Sequence, residues 1–117
     1  MDRLESLLRR IALNDERVMR SMLDVRADCP EASLDPKTGS LVLLAALLAL
    51  EASGSSCLWG VEEAFASGAS AEEIVGTLVA VAPAVGMARA VRAAPSIARA
   101  IGYDLESAFE RLEGHDR

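Results

Sequence analysis

Residues 34–50 decide the fold class of this chain, and they read LDPKTGSLVLLAALLAL. Asp35 followed by Pro36 predicts a helix start, because aspartate caps free backbone N–H groups and proline suits the first helical position. The apolar run that follows is far shorter than the ~20 residues that a bilayer span needs. We therefore expect a helix that runs to about Ala52, is ended by Gly54 and is buried on most of its faces.

Two shorter helices are predicted before this stretch. Apolar residues recur at helical spacing between residues 2 and 13, which indicates an amphipathic helix. Asn14 precedes two acidic residues and predicts the N-cap of a second helix, which Pro30 stops. The residues of this second helix that we expect to face inward are Val18, Met22 and Val25.

Helical signals also continue after residue 50. A helix carrying Trp59 is expected to close at Gly68, and the pattern Ser-x-x-Glu from Ser70 predicts a capping box for the next helix. Pro83 is expected to kink or end that helix. The remaining predicted elements are an alanine-rich helix from Gly86 to Ile101 interrupted at Pro95, a C-terminal glycine at Gly102, a short helix over residues 105–112 and a frayed tail over residues 113–117.

Composition agrees with an all-helical chain. Hydrophobic residues make up 51% of the sequence and aromatic residues only 3%, with alanine and leucine dominant. That bias favours helix over sheet, and 117 residues are enough for one domain. The sequence therefore predicts a single all-α domain over residues 1–117, a compact bundle of about six to eight helices.

Charge and cysteine content exclude several function classes. The net charge is −6, which argues against a nucleic-acid partner or docking on an anionic membrane. Two cysteines, Cys29 and Cys57, do not make a disulfide scaffold, and the first residues lack an apolar signal segment. We expect a cytoplasmic setting, no metal site and no cofactor, since His115 is the one histidine and lies in the tail.

Three segments follow one another in a recognisable order over residues 34–94: LDPKTGSLVLLAALLAL, then CLWGVEEAFASGASAEEI, then LVAVAPAVGMARAVRAA. This order resembles the carboxymuconolactone decarboxylase family, which includes the alkylhydroperoxidase D-like proteins. The resemblance implies an all-helical fold that assembles into trimers or hexamers. It also implies two kinds of site: peroxidase members carry Cys-x-x-Cys-x-x-x-His with a glutamate one helix earlier, and decarboxylase members generally keep the histidine alone.

This chain departs from the family motif at every reactive position. With the family's histidine aligned on Gly60, its two cysteines fall on Ser53 and Ser56 and its glutamate falls on Ser40. A one-residue shift that makes Cys57 the second cysteine supplies neither the first cysteine nor the histidine. Peroxide cleavage needs an activated thiolate and a second thiol that resolves the sulfenic acid. The resemblance therefore implies a family member whose redox site is degenerate.

The preferred functional hypothesis is a small-molecule-binding or structural homo-oligomer. Its pocket is expected under Trp59 and Gly60, with Ser53 and Ser56 beside them, and its ligand would be a small apolar or carboxylate molecule. Trp59 would otherwise pack in the core or at a subunit interface. Gly60 would otherwise be a small residue tolerated between packed helices.

The first alternative is a peroxidase that uses Cys57 alone. Cys57 lies near a predicted helix N-terminus, where the helix dipole stabilises a thiolate and lowers the thiol pKa. The competing interpretation is a small buried hydrophobe. Cys29 has no base beside it in the sequence, and a pairing of Cys29 with Cys57 stays open because sequence does not fix their distance.

The second alternative is thiol-free acid–base chemistry of the decarboxylase kind, carried by Glu51 or an arginine and acting on a small carboxylate substrate. If Glu51 is buried on the face of Leu47 and Leu48, its pKa would rise and it would serve as an acid or base; the competing interpretation is a solvated helix end. Arg89 and Arg92 are neighbours at i, i+3 and would grip an anionic ligand or, more commonly, form salt bridges.

Overall fold

The computed structural model describes residues 2–24 and 32–103, and within these ranges it contains six α-helices and no strand. The all-α prediction is therefore confirmed. Predictions that concern Val25, Cys29, Pro30, His115, the helix over 105–112 and the tail over 113–117 lie outside the described residues. The helices are α1 (Arg3–Ala12), α2 (Glu16–Leu23), α3 (Pro36–Ala49), α4 (Gly54–Ala66), α5 (Ala71–Val85) and α6 (Met87–Ala100).

The chain divides into two compact units between Asp35 and Pro36. In the first unit α1 packs against α2, and each helix begins with an aspartate cap. The Asp15 carboxylate accepts a hydrogen bond from the N–H of Val18 at 3.1 Å, so Asp15 is the N-cap of α2. The prediction that Asn14 caps α2 is wrong: Asn14 has φ +58° and ends α1, a left-handed conformation that asparagine tolerates.

Burial in the first unit is narrower than the apolar pattern indicated. Leu7 of α1 and Val18 of α2 are its buried residues among those described. Met22 was expected to face inward but is exposed, although it lies on the same face as Val18; it belongs to the last turn of α2, which ends at Leu23.

The second unit is built from α3, α4, α5 and α6. α3 packs against α4 and α5, and α6 packs against the same two helices and also contacts α3. Small residues such as Ala64 and Ala69 let these helices approach closely around larger aliphatic side chains. The buried core consists of Leu44, Leu48, Cys57, Val61, Ala64, Ala69, Ile74 and Ile97.

The junction between α4 and α5 follows the sequence signals. Gly68 has φ +96°, a conformation that disfavours any side chain, and it ends α4 as predicted. Ser70 Oγ accepts a hydrogen bond from the N–H of Glu73, and the Glu73 carboxylate accepts one from the N–H of Ser70, both at 3.0 Å. The predicted capping box is confirmed, and Lys37 of α3 adds an ion pair with Glu73 at 3.0 Å.

Neither proline interrupts its helix. α5 continues past Pro83 to Val85, where the missing N–H removes a single bond close to the helix end. The prediction that Pro95 interrupts the last helix is wrong, since α6 is continuous from Met87 to Ala100. Pro95 is exposed, and so is Val91, whose carbonyl would accept the N–H that proline lacks. Gly102 closes α6 with φ +92°, as predicted.

The apolar helix α3 ends earlier than predicted and is less buried. It stops at Ala49, and Gly54 is the first residue of α4 rather than the end of α3. Leu44 and Leu48 are buried, but an opposite stripe of Val42, Ala46 and Leu50 is exposed. Within the described ranges, no helix is both long enough and apolar enough to cross a membrane.

Candidate functional site

The turn between α3 and α4 is the most unusual backbone feature of the second unit. The N–H of Glu51 donates to the carbonyl of Leu48 at 3.2 Å, and the N–H of Ala52 donates to the carbonyl of Leu47 at 3.0 Å. These two bonds form a Schellman motif, whose left-handed residue is usually glycine. Glu51 occupies that residue with φ +52°, which costs about 1 kcal/mol or more.

The Glu51 side chain reaches two arginines of α6. Its Oε1 accepts a hydrogen bond from Arg92 at 2.5 Å, and its Oε2 lies 3.9 Å from Nε of Arg89. The hydrogen bond from Arg92 and its positive charge lower the pKa of Glu51, and these effects exceed the opposing effect of partial burial. The carboxylate is therefore the stable form, although the dipole at the end of α3 disfavours a negative charge there.

A raised pKa was expected for Glu51 only if its side chain were buried, and that condition is not met. Its side chain is 46% exposed, so desolvation is weak, while two cations lie on the same side of it. The sequence hypotheses about Glu51 and about the arginine pair concern one cluster, because the fold brings residues 41 positions apart into contact.

These three charged residues line the rim of a cavity of about 180 Å3, which we call the arginine pocket. The floor of this pocket is formed by apolar residues that are buried or half-buried. Ser96 adds a hydroxyl one helical turn beyond Arg92, on the same face of α6. The full lining is Leu47, Leu48, Glu51, Ala52, Cys57, Arg89, Arg92, Ala93 and Ser96.

Cys57 forms part of the floor of the arginine pocket. It is only 4% exposed, and its Sγ lies 3.8 Å from the carbonyl oxygen of Ala52, to which the thiol donates a weak hydrogen bond. Burial raises the pKa of the Cys57 thiol. This direction is the opposite of the one that the peroxidase alternative requires.

Ser53 and Ser56 have structural partners at the start of α4. Ser53 is the N-cap, and its Oγ accepts a hydrogen bond from the N–H of Ser56 at 3.2 Å. The two hydroxyl oxygens lie 3.1 Å apart. The two positions that the family motif would fill with cysteines therefore have adjacent side chains here.

Gly60 lies at a close approach of α4 and α3. A Cβ atom built on it would be 2.9 Å from Cδ1 of Leu47 and 3.3 Å from Cδ1 of Leu44. The space beside Gly60 is thus filled by leucine side chains, which fits the interpretation of a small residue between packed helices. Trp59 is 39% exposed, and neither residue lines the arginine pocket.

Ser40, which stands where the family has its glutamate, links two helix ends. Its Oγ lies 2.9 Å from the carbonyl oxygen of Pro36 and 2.8 Å from Oγ of Ser67. Because Ser67 is the C-cap of α4, this contact joins the first turn of α3 to the end of α4. Ser40 does not line the arginine pocket.

The site that the structure favours is thus shifted from the predicted one. Sequence reasoning singled out Glu51, Cys57, Arg89 and Arg92 separately, and the fold places all four around one cavity. It missed Ser96, whose only signal is the spacing of residues 89, 92 and 96 along one helical face. Among the residues that the structure describes, no group of three or more histidine, cysteine or acidic residues converges as a metal site would require.

Comparisons with known proteins add no relative: no protein-family model, no curated protein and no solved structure matches the chain.

Proposed function

We propose that the chain is a divergent carboxymuconolactone decarboxylase-like protein whose redox site is degenerate and that it acts as a small-molecule-binding or structural oligomer. The observation that carries this proposal is the contacts of the three motif positions. Ser53 caps α4, Ser56 bonds to that cap, and Gly60 is enclosed by leucines of α3. Each has a structural role that replaces the thiol pair and imidazole expected from the resemblance.

The side chains of Ser53 and Ser56 are close enough to accommodate a cysteine pair like that of the family motif. Their hydroxyl oxygens are 3.1 Å apart, a proximity that an N-cap and the third residue of a helix ordinarily have. The double substitution Ser53→Cys with Ser56→Cys should then form an intramolecular disulfide on mild oxidation, measured as a loss of two free thiols. The matched control is Ser55→Cys with Ser56→Cys, whose neighbouring side chains point in different directions around the helix.

Two other activities are weaker candidates for the same chain. A peroxidase that relies on Cys57 alone would need an accessible thiol with a low pKa, and Cys57 is buried with a raised pKa. Decarboxylase-like acid–base chemistry at Glu51 would be favoured by a pKa near neutral pH, and the pKa of Glu51 is lowered instead.

Self-association and a cytoplasmic setting belong to the same proposal. Several large apolar side chains of the second unit are more than half exposed, and such surface favours burial between subunits. The two cysteines in the sequence support a reducing compartment. The exposed apolar residues are Val42, Leu50, Val79, Met87 and Val91.

The experiment that tests the proposal is hydroperoxide consumption by the purified protein in the presence of excess dithiol, run beside Cys57→Ser. We expect the same background rate for both proteins. Turnover by the wild type that disappears in Cys57→Ser would overturn the degenerate-site proposal and make Cys57 a peroxidatic residue. Sedimentation velocity on the same sample tests self-association, which a purely monomeric protein at micromolar concentration would contradict.

A further inference from the structure

We propose that the arginine pocket binds a short-chain monocarboxylate and that the Glu51 carboxylate occupies the ligand's place while the pocket is free. This inference rests on the proposed binding function and names its ligand class. It draws on three observations: a pair of arginines beside an apolar floor, an incomplete set of partners for those arginines, and a strained backbone at the residue that fills the gap.

The charges of the pocket favour an anion. Arg89 and Arg92 contribute two positive charges and Glu51 one negative charge, so the rim keeps one net positive charge. Arg89 meets Glu51 only at 3.9 Å, which is too long for a hydrogen bond. The planar guanidinium has five donors in a geometry that suits a carboxylate, and those of Arg89 are not engaged in any hydrogen bond that the described residues show.

The apolar floor and the size of the cavity limit the ligand. The volume of about 180 Å3 favours a small ligand. With a carboxylate on the arginines, a short alkyl chain would lie against Leu48, Ala93 and Cys57. Butanoate has this size and this distribution of charge, and we use it as the probe.

Glu51 acts as a tethered competitor in this interpretation. Its backbone adopts φ +52°, where glycine would be free of strain, and its carboxylate lies where an incoming carboxylate would bind Arg92. If Glu51 holds the arginines ~90% of the time, the free site is populated about one-tenth of the time and the apparent affinity for butanoate falls about tenfold. Removing the Glu51 charge should therefore strengthen binding.

The test is a calorimetric titration of the full chain with butanoate at fixed ionic strength, beside butan-1-ol and butylammonium as uncharged and cationic analogues. We expect saturable binding of butanoate alone. Glu51→Gln should bind it about tenfold more tightly, and Arg92→Gln should bind it roughly tenfold or more weakly. Arg99→Gln is the matched control, because Arg99 is an arginine of the same helix outside the arginine pocket, and its affinity should equal that of the wild type.

Four results would overturn the inference. Two concern the ligand: butanoate binds to neither the wild type nor Glu51→Gln, or butan-1-ol binds as tightly as butanoate. Two concern the variants: Glu51→Gln binds butanoate more weakly than the wild type, or Arg92→Gln and Arg99→Gln lose the same affinity for butanoate. Binding by Glu51→Gln alone would support it, because the tethered carboxylate would then be the stronger ligand. Far-ultraviolet circular dichroism of each variant excludes unfolding as the cause, and Arg92→Lys provides a second variant that retains the charge. Peroxidase activity at Cys57 would overturn the proposed function without changing this titration, so the two failures are distinguishable.

Discussion

Two turns of the second unit have the same hydrogen-bond pattern but different residues at the critical position. At the end of α4, the N–H groups of Gly68 and Ala69 donate to Phe65 and Ala64. At the end of α3, those of Glu51 and Ala52 donate to Leu48 and Leu47 in the same arrangement. The left-handed residue is glycine in the first turn and glutamate in the second.

The difference separates a structural turn from one with a further role. Gly68 needs no partner beyond the backbone, because its conformation is unstrained for glycine. Glu51 is strained, but its side chain forms the ion pairs that close the arginine pocket. Glu51 is unfavourable for the backbone conformation of its turn, but its side chain is well placed to contact α6. This combination indicates that the contacts of the side chain, rather than the needs of the turn, determine which residue stands at position 51.

The largest effect is expected from Gly68→Ala. At φ +96° a Cβ atom is strained whatever the space around it, so the free energy of unfolding should fall by about 1–2 kcal/mol. The control is Gly76→Ala inside α5, where a Cβ meets no atom within 4 Å and φ is helical; this change should raise stability by roughly 0.5–1 kcal/mol. Urea denaturation measures both, and equal effects would contradict the role given to Gly68.

The N-caps that follow the two turns should differ less in their contribution to the free energy of unfolding than the two left-handed residues do. Ser70 has reciprocal bonds with Glu73, whereas Ser53 accepts a single backbone bond at 3.2 Å. We expect Ser70→Ala to cost about 1 kcal/mol and Ser53→Ala to cost about 0.5–1 kcal/mol. A larger loss for Ser53→Ala in the same denaturation experiment would show that the α3–α4 turn depends more on its cap than its geometry indicates.

Acid should weaken both turns through their glutamates. A backbone bond from Ser70 and a hydrogen bond from Lys37 lower the pKa of Glu73, and Arg92 lowers that of Glu51. Because each folded-state pKa is below the unfolded value of about 4.5, the stabilisation is present above that pH and disappears as pH falls through the folded value. Thermal melts between pH 3 and 7 should show this loss as a fall in Tm with decreasing pH. The dependence of Tm on pH should be weaker in Glu73→Gln and in Glu51→Gln than in the wild type. An unchanged dependence in both variants would contradict the assignment.

The smallest effect is expected from Glu51→Gly. Glycine relieves the backbone strain, but the change removes an exposed ion pair and increases the freedom of the unfolded chain. These contributions oppose one another, so stability should change by no more than about 0.5 kcal/mol. A loss as large as that of Gly68→Ala would mean that Glu51 is kept for folding rather than for the arginine pocket.

Local signals account for the features that the sequence predicted correctly. The start at Pro36, the stop at Gly68 and the Ser70–Glu73 capping box depend on residues within a few positions of one another, and the structure has all three. Such features follow from backbone chemistry that neighbouring residues determine.

The arginine pocket depends on tertiary placement and was not predictable as a unit. Glu51 and Arg92 are 41 positions apart, so no local rule joins them. Without that contact the position of Glu51 at a helix end predicted a raised pKa if buried, and only the neighbouring guanidinium groups reverse the direction. The continuity of α6 through Pro95 was likewise not predictable from the local sequence, because proline in a helix interior favours a break or a kink.

The most direct test of the Glu51–arginine contact is a carbon-detected nuclear magnetic resonance titration of the Glu51 carboxyl group in wild type and Arg92→Gln. We predict a pKa below the ordinary glutamate value in the wild type, which returns toward that value when Arg92 is replaced. A wild-type pKa at or above the ordinary value, or one that Arg92→Gln leaves unchanged, would contradict a carboxylate held by the arginine pair.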